Sequence, residues 1–271
     1  MTIPAVRHKM MDFQYWLSLF LPVVGHVLYG LPPDPDQTDE PGVLLRNGDD
    51  FSAVDEAPHP ERLRNVRAVT ASAVTPLPCS GSKETGVKID VGLVSARPCW
   101  VVVETSKTFI EIEADHFNDY LTHEGLSHVL EARAATSQQH NSGREIYSKY
   151  CKTALNGPGG ALAFLDRPVG LPIEIVPVTA GPVRAGDAVT VRVLVDQCPA
   201  RDVQLMASRQ ADSPSASATS SIVRTDSQGY ATVALDKPGV WRLHSIAMAR
   251  HDEPGVADWQ SVWASLTFRL Y

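Results

Sequence analysis

Residues Ala188 to Val195 read AVTVRVLV. Val189, Val191, Val193 and Val195 fall on one side of an extended chain, with Thr190 and Arg192 on the other, because successive strand side chains alternate. β-Branched residues at every second position suit a pleated surface and are poor helix formers. The stretch is predicted to be a strand with its valine face in a core. The same period runs outward from it, in Ile173 to Val178 before it and in Val203 to Ala207, Ile222 to Arg224, Tyr230 to Leu235, Gly239 to Met248 and Ser261 to Leu270 after it. Strands at this spacing predict an Ig-like or prealbumin-like sandwich over residues 171–271. Asp226-Ser227-Gln228-Gly229 is predicted as a hairpin turn, with Asp bonding its own backbone and Gly supplying a positive φ. Lys237-Pro238-Gly239 reads as another turn, and Ser213 to Ser221 as a low-complexity tip.

Upstream, Val43 to Leu45, Arg67 to Val74, Gly86 to Val91 and Trp100 to Glu104 are short β-branched or alternating runs, separated by Gly, Pro, Asn, Ser and Asp. Phe109-Ile110-Glu111-Ile112-Glu113 alternates apolar and acidic residues, as a strand with one wet face does. Between Ala114 and Leu155 the spacing reads as helical. Phe117, Tyr120 and Leu121 form one stripe, with Asp115 as N-cap; Leu126, Val129 and Leu130 form a second after Gly125; Ile146, Tyr150 and Ala154 form a third. The predicted fold class is mainly β, with two β-sandwich-like domains. The N-terminal one, residues 26–170, carries an α-helical insertion at 114–155, and Gly157-Pro158-Gly159-Gly160 is a turn.

At the N-terminus, Arg7, His8 and Lys9 precede an apolar run from Phe13 to Val24, the order of a secretory signal cleaved after Gly25. The run is short of the roughly 20 residues a bilayer span needs. The alternative is a buried N-terminal helix of a cytosolic protein. With the signal, residues 1–25 are removed and the mature chain is periplasmic or secreted, with no membrane span. The Pro- and acid-rich stretch from Pro32 to Gly42 reads as an exposed loop.

The net charge is -7, without a basic face of the kind that displaces counterions from a phosphate backbone, which argues against nucleic acid as a partner. The four cysteines, Cys79, Cys99, Cys151 and Cys198, form no CxxC pair. Export would permit disulfides, with Cys79–Cys99 the first pairing to consider; the other reading is four buried thiols.

The family resemblance enters through several blocks: LLRNGDDF (Leu44 to Phe51), DHFNDYLTHEGLSHVLEAR (Asp115 to Arg133), GREIYSKYCK (Gly143 to Lys152), GLPIEIVPV (Gly170 to Val178), AGDAVTVRVL (Ala185 to Leu194) and RTDSQGYATVALDKPGVW (Arg224 to Trp241). In this order they resemble the DUF4198 family, some members of which are labelled nickel-uptake substrate-specific or periplasmic components. The resemblance implies an exported protein handling a divalent transition metal. Members begin, after the signal, with His followed by Asp, Phe and Trp; here His26-Val27-Leu28-Tyr29 and Pro32 occupy that place, matching at His26 and Pro32 and departing at Val27 and Leu28.

Cleavage after Gly25 would make His26 the mature N-terminus, where its α-amino group and imidazole can chelate one ion; nickel or copper suits such nitrogen ligands. His123 and His128, and after them His116, are the candidates to complete a metal site. On a straight helix His123 and His128 lie about 140° apart, so Gly125 would have to bend the chain to bring them together.

Enzymatic readings have little support. His123-Glu124 lacks the second His of an HExxH helix, since Ser127 stands there, and no Ser occupies a nucleophile elbow. Arg144, Lys149 and Lys152 put positive charge on the third predicted helix and read as a solvated face, the alternative being contact with an anion. Trp241 and Trp263 are expected inside the sandwich, with Trp259 the one placed to be exposed. The expected function is therefore non-enzymatic: an envelope binding protein for a metal ion or a protein partner, the alternative being a structural or adhesion-like module that binds a protein or glycan.

Overall fold

The computed structural model describes residues 26–33, 42–48, 51, 56–82, 86–92, 94, 98–155, 167–179, 182–211 and 219–271. The signal segment, most of the Pro-rich loop, the Gly157–Gly160 turn and most of the Ser213–Ser221 tip lie outside them.

In chain order the strands are β1 (Val27–Leu31), β2 (Gly42–Gly48), β3 (Leu63–Val69), β4 (Val74–Pro76), β5 (Cys79–Ser82), β6 (Gly86–Asp90), β7 (Cys99–Thr105) and β8 (Thr108–Ile112). Two helices follow, α1 (Ala114–His123) and α2 (Ser127–Ala135), then β9 (Gly143–Leu155) and β10 (Ile173–Pro177). The C-terminal strands are β11 (Ala188–Val195), β12 (Cys198–Pro199), β13 (Gln204–Arg209), β14 (Thr219–Arg224), β15 (Tyr230–Ala234), β16 (Gly239–Arg250) and β17 (Trp259–Leu270). All seven predicted C-terminal strands form, and the fold is mainly β, as the period-two runs imply.

Three sheets are stacked. The central one has nine strands in the order β14-β13-β16-β17-β9-β7-β3-β4, with β8 also pairing β9. β10, β11, β12 and β15 make a four-stranded sheet, and β1-β2-β6-β5 make another. Val189, Val191 and Val193 of β11 pack onto Trp100, Val102 and Ala154 on one face of the central sheet, together with Leu243, Leu266 and Phe268. On its opposite face, Val43, Leu45, Val87 and Ile89 pack against Val101, Val103 and Cys151. The same opposite face also carries the helices, whose Phe117, Leu121 and Val129 cluster with Ile246, Met248 and Trp263. Alternation along each strand thus assigns its odd and even residues to different layers. β9 pairs β17 in parallel and β7 antiparallel, so strands from both sides of residue 170 share the central sheet.

One element differs from its prediction. Gly143–Leu155 is a strand, not a third helix. Ile146, Tyr150 and Ala154 recur every four residues, a spacing that satisfies a period of two as well as one near 3.6. Neighbours on both edges settle the matter, and this central position buries Lys149 and Lys152, which do not form a solvated face. Gly143 sits directly beneath Phe117: a Cβ there would lie 2.2 Å from that ring, so the glycine lets α1 rest on the sheet.

Smaller differences are local. α1 begins one residue earlier than its expected cap, with Glu113 at the N-cap position and no side-chain cap bond, while Asp115 lies in the first turn, where its charge still complements the helix dipole. Trp259 is 2% exposed, lying beneath the Arg250 guanidinium at 4.4 Å. The four cysteines are free; Cys99 and Cys151 are buried, and Cys79 and Cys198 exposed. The Asp226 turn forms as predicted: its carboxylate accepts from the Gln228 and Tyr230 amides, and Gly229 has φ 80°.

Candidate functional site

Three adjacent strands of the central sheet lay one floor. Register places Ile110 of β8 beside Glu145 of β9, Thr108 beside Tyr147, and Lys149 beside Trp263 of β17. α1 suspends Tyr120 over this floor, β1 brings Leu28 with His26 just before it, and β2 brings Asn47. The segment leading into β3 closes the remaining side with Glu56, His59 and Arg62. Together these residues enclose a cavity of about 300 Å³, at the lower end of the range for small-molecule sites.

One end of the cavity is acidic and buried. Glu145 is 2% exposed. Its Oε1 accepts from the Tyr120 hydroxyl at 3.3 Å and from the Ser261 hydroxyl, whose own oxygen accepts from the Trp263 indole N–H at 3.0 Å. Its Oε2 accepts no bond from the described residues. Burial disfavours the carboxylate and pushes the Glu145 pKa up to about 7, against the opposing pull of those donors and of Lys149. Burial, with the nearby charges of Glu145 and Glu124, also drives the Tyr120 phenol well above its ordinary value. The Tyr120 and Trp263 rings stack at 5.7 Å with 6° between their planes.

The other end is basic but internally engaged. Lys149 donates to the His26 carbonyl and, at 2.8 Å, to Asn47 Oδ1. Its ammonium also lies 5.4 Å from the centre of the Tyr147 ring and 5.8 Å from that of Trp263, within cation–π range. Arg62 donates to the Tyr147 hydroxyl at 3.0 Å. The arrangement can hold a small molecule between an acid, an aromatic wall and a fixed lysine.

His26, alone among the residues predicted as metal ligands, lines this cavity. His123 is exposed at the end of α1, its Nε2 4.0 Å from Glu124 Oε1. His128 lies on α2, where its Nε2 is 2.9 Å from the Met248 carbonyl. Gly125, with φ 68°, does turn the chain between the two helices, but neither His123 nor His128 lines the cavity with His26. Among the described residues no three His, Cys, Asp or Glu side chains converge as a metal ion would require. Glu145, Lys149 and Tyr147 escape the sequence reading because their strand resembled a helix. Read at period two, GREIYSKYCK places Glu145, Tyr147, Lys149 and Cys151 on one face, and an acid and a lysine on an aromatic-bearing strand face were the available signal.

Comparison with known proteins gives one match. The family described as "domain of unknown function (DUF4198)" matches residues 32–249, a span that includes Tyr120, Glu145 and Lys149 and stops short of His26 and Trp263. No curated protein and no solved structure matches the chain. Because that span takes in most of the 271 residues, and with it both helices and the strand that floors the cavity, the chain belongs to the DUF4198 family.

Proposed function

We propose that this protein is an exported, non-catalytic binding protein whose small ligand occupies the cavity between the central sheet, α1 and the β1 end of the N-terminal sheet. The observation that carries this reading is Glu145. A buried acid with one oxygen left without a donor among the described residues is costly, and it lines a cavity large enough for a ligand that would supply that partner. The aromatic wall and the fixed Lys149 are the few well-placed groups that give such a cavity orientation and selectivity.

A second reading has its own support in His26. Cleavage after Gly25 would place a free α-amino group and an imidazole at the cavity wall, and nickel or copper favours those donors. His123 and His128 would then be bystanders, and the ion would draw its remaining ligands from elsewhere.

One experiment tests both. Thermal unfolding is followed against a panel of small organic cations, anions and neutral compounds together with nickel and copper ions, using the wild type, Thr108→Trp to fill the cavity, and His26→Ala. A ligand at a hundredfold its Kd stabilises by about 2.7 kcal/mol. Stabilisation by an organic compound that Thr108→Trp abolishes supports the first reading, and stabilisation by nickel or copper that His26→Ala abolishes supports the second. A Thr108→Trp variant that keeps the full wild-type response to every compound would overturn the cavity as the ligand site.

A further inference from the structure

The acid end of the cavity identifies the ligand's chemistry, on the premise that the cavity is the ligand site. We propose that Glu145 is the anchor of an ammonium subsite, taking the charged nitrogen of a small primary amine on Oε2 while Tyr120, Trp263 and Tyr147 wall its apolar tail.

Three observations converge. First, the donors are distributed unevenly: Tyr120 and Ser261 both bond Oε1, the Trp263 indole N–H beside the carboxylate is directed at the Ser261 hydroxyl, and no hydrogen bond reaches Oε2 among the described residues. A carboxylate offers about four lone-pair directions. Elsewhere in the same protein a structural acid is fully furnished: Glu174, 1% exposed, receives Lys152 at 2.7 Å and the backbone amides of Val169, Gly170 and Leu171. The open oxygen of Glu145 is a departure from that pattern, on a side chain 2% exposed and lining a cavity.

Second, the wall already accepts a cation. The Lys149 ammonium lies within cation–π distance of both Tyr147 and Trp263, so their negative ring faces are turned toward the enclosed space. The stacked Tyr120–Trp263 pair extends that surface toward Glu145. Third, Lys149 is not the missing partner. Its ammonium donates to the His26 carbonyl and Asn47, and it acts on Glu145 through space, as a nearby charge and not as a hydrogen-bond donor.

The charged and titratable groups that act on Glu145 are Lys149 on its own strand and Tyr120 on α1, with Glu124 at the C-cap of α1 acting in turn on Tyr120. His26, His59, Glu56 and Arg62 line the same cavity. The ammonium is attracted only while Glu145 is ionised. Amine affinity therefore falls as pH drops through about 7, where Glu145 takes up its proton.

Calorimetry on the full chain with benzylamine and benzyl alcohol, which share a ring and differ in the charged nitrogen, tests the subsite. Above pH 7 benzylamine is expected to bind at least about tenfold more tightly than the alcohol, the worth of one charge-assisted hydrogen bond. That preference should fade below pH 7 and be absent at all pH values in Glu145→Gln. Should the variant not fold, the pH dependence of the wild type decides. Equal binding of amine and alcohol by the wild type overturns the ammonium subsite and leaves the cavity reading standing. A preference for benzoate, the matching anion, does the same. Failure of all three probes overturns the subsite, and the wider panel with Thr108→Trp then decides the cavity separately.

Discussion

Each face of β9 buries a charged side chain in the central sheet, Lys152 on one and Glu145 on the other, and the two are treated in opposite ways. On the face toward the C-terminal four-stranded sheet, Lys152 meets Glu174 at 2.7 Å, with side chains 2% and 0% exposed, and the Lys152 ammonium also covers the Trp100 ring at 4.8 Å. The partners of that pair are the protein's own: the Val169, Gly170 and Leu171 amides complete the shell of Glu174. On the face toward α1, Glu145 shares its donors on one oxygen and presents the other to a cavity. Both faces bear the desolvation cost of a buried charge. The first recovers it through its own residues and so fixes the packing of two sheets; the second leaves it partly uncompensated, as a site awaiting a ligand does.

Breaking the closed pair should have the larger effect on stability. Burial pulls the Lys152 pKa below its ordinary value while Glu174 pushes it back, so removal of either partner strands the other in a dry interior. Lys152→Met is expected to cost about 3–5 kcal/mol in urea unfolding, with much of the loss restored in Lys152→Met/Glu174→Gln, where no unpaired charge remains. A single substitution costing under about 1 kcal/mol would mean the pair is not the fastening between sheets that its geometry describes.

Glu145→Gln sharpens the contrast through pH. The Glu145 pKa rises from 4.5 in a solvated setting to about 7 in the fold. Below 4.5 the acid is protonated in both folded and unfolded chains and costs nothing. Between 4.5 and 7 the unfolded chain releases its proton while the folded one keeps it, so stability falls as pH rises, and above 7 the full penalty of about 3 kcal/mol is in place. Glu145→Gln is expected to match the wild type in acid and to exceed it by about that amount above pH 7. Denaturant titrations at a series of pH values check this; a constant difference between the two proteins would show that Glu145 carries no raised pKa.

Much of the architecture is legible in the sequence because β11 and β15 are buried mainly on one face, so that valines alternate with polar residues in β11 and the Asp226 turn carries its own chemistry. β9 is not legible for the opposite reason. A strand with neighbours on both edges and sheets or helices on both faces carries residues chosen for two different interiors, and its apolar period blurs into steps of four. The candidate site inherits that difficulty. His26 can be singled out from its place behind a signal-like segment, whereas Glu145 and Lys149 acquire meaning only when β8, β9 and β17 are set side by side. Nothing local in Trp263 distinguishes a core tryptophan from one that walls a cavity, since it is 4% exposed in either role.

Tyr120→Phe makes the smallest and most selective test of the open face. The phenol is one of two donors to Glu145 Oε1 and is anchored on α1, so it ties the helix to the acid as well as stabilising the acid's charge. Removing the oxygen keeps the ring stacked on Trp263 and takes away one buried hydrogen bond, for a loss of about 1 kcal/mol. The loss should grow as pH rises, because the bond lowers the Glu145 pKa and is worth most to the ionised acid. The fall in stability attributed to Glu145 should accordingly extend to higher pH in Tyr120→Phe than in the wild type. Combined with Glu145→Gln, the phenylalanine should lose this pH-dependent part of its cost and retain only the pH-independent part. If the cost of Tyr120→Phe is instead the same at every pH and in both backgrounds, the hydroxyl serves the packing of α1 and the two faces of β9 differ less than their hydrogen bonds imply.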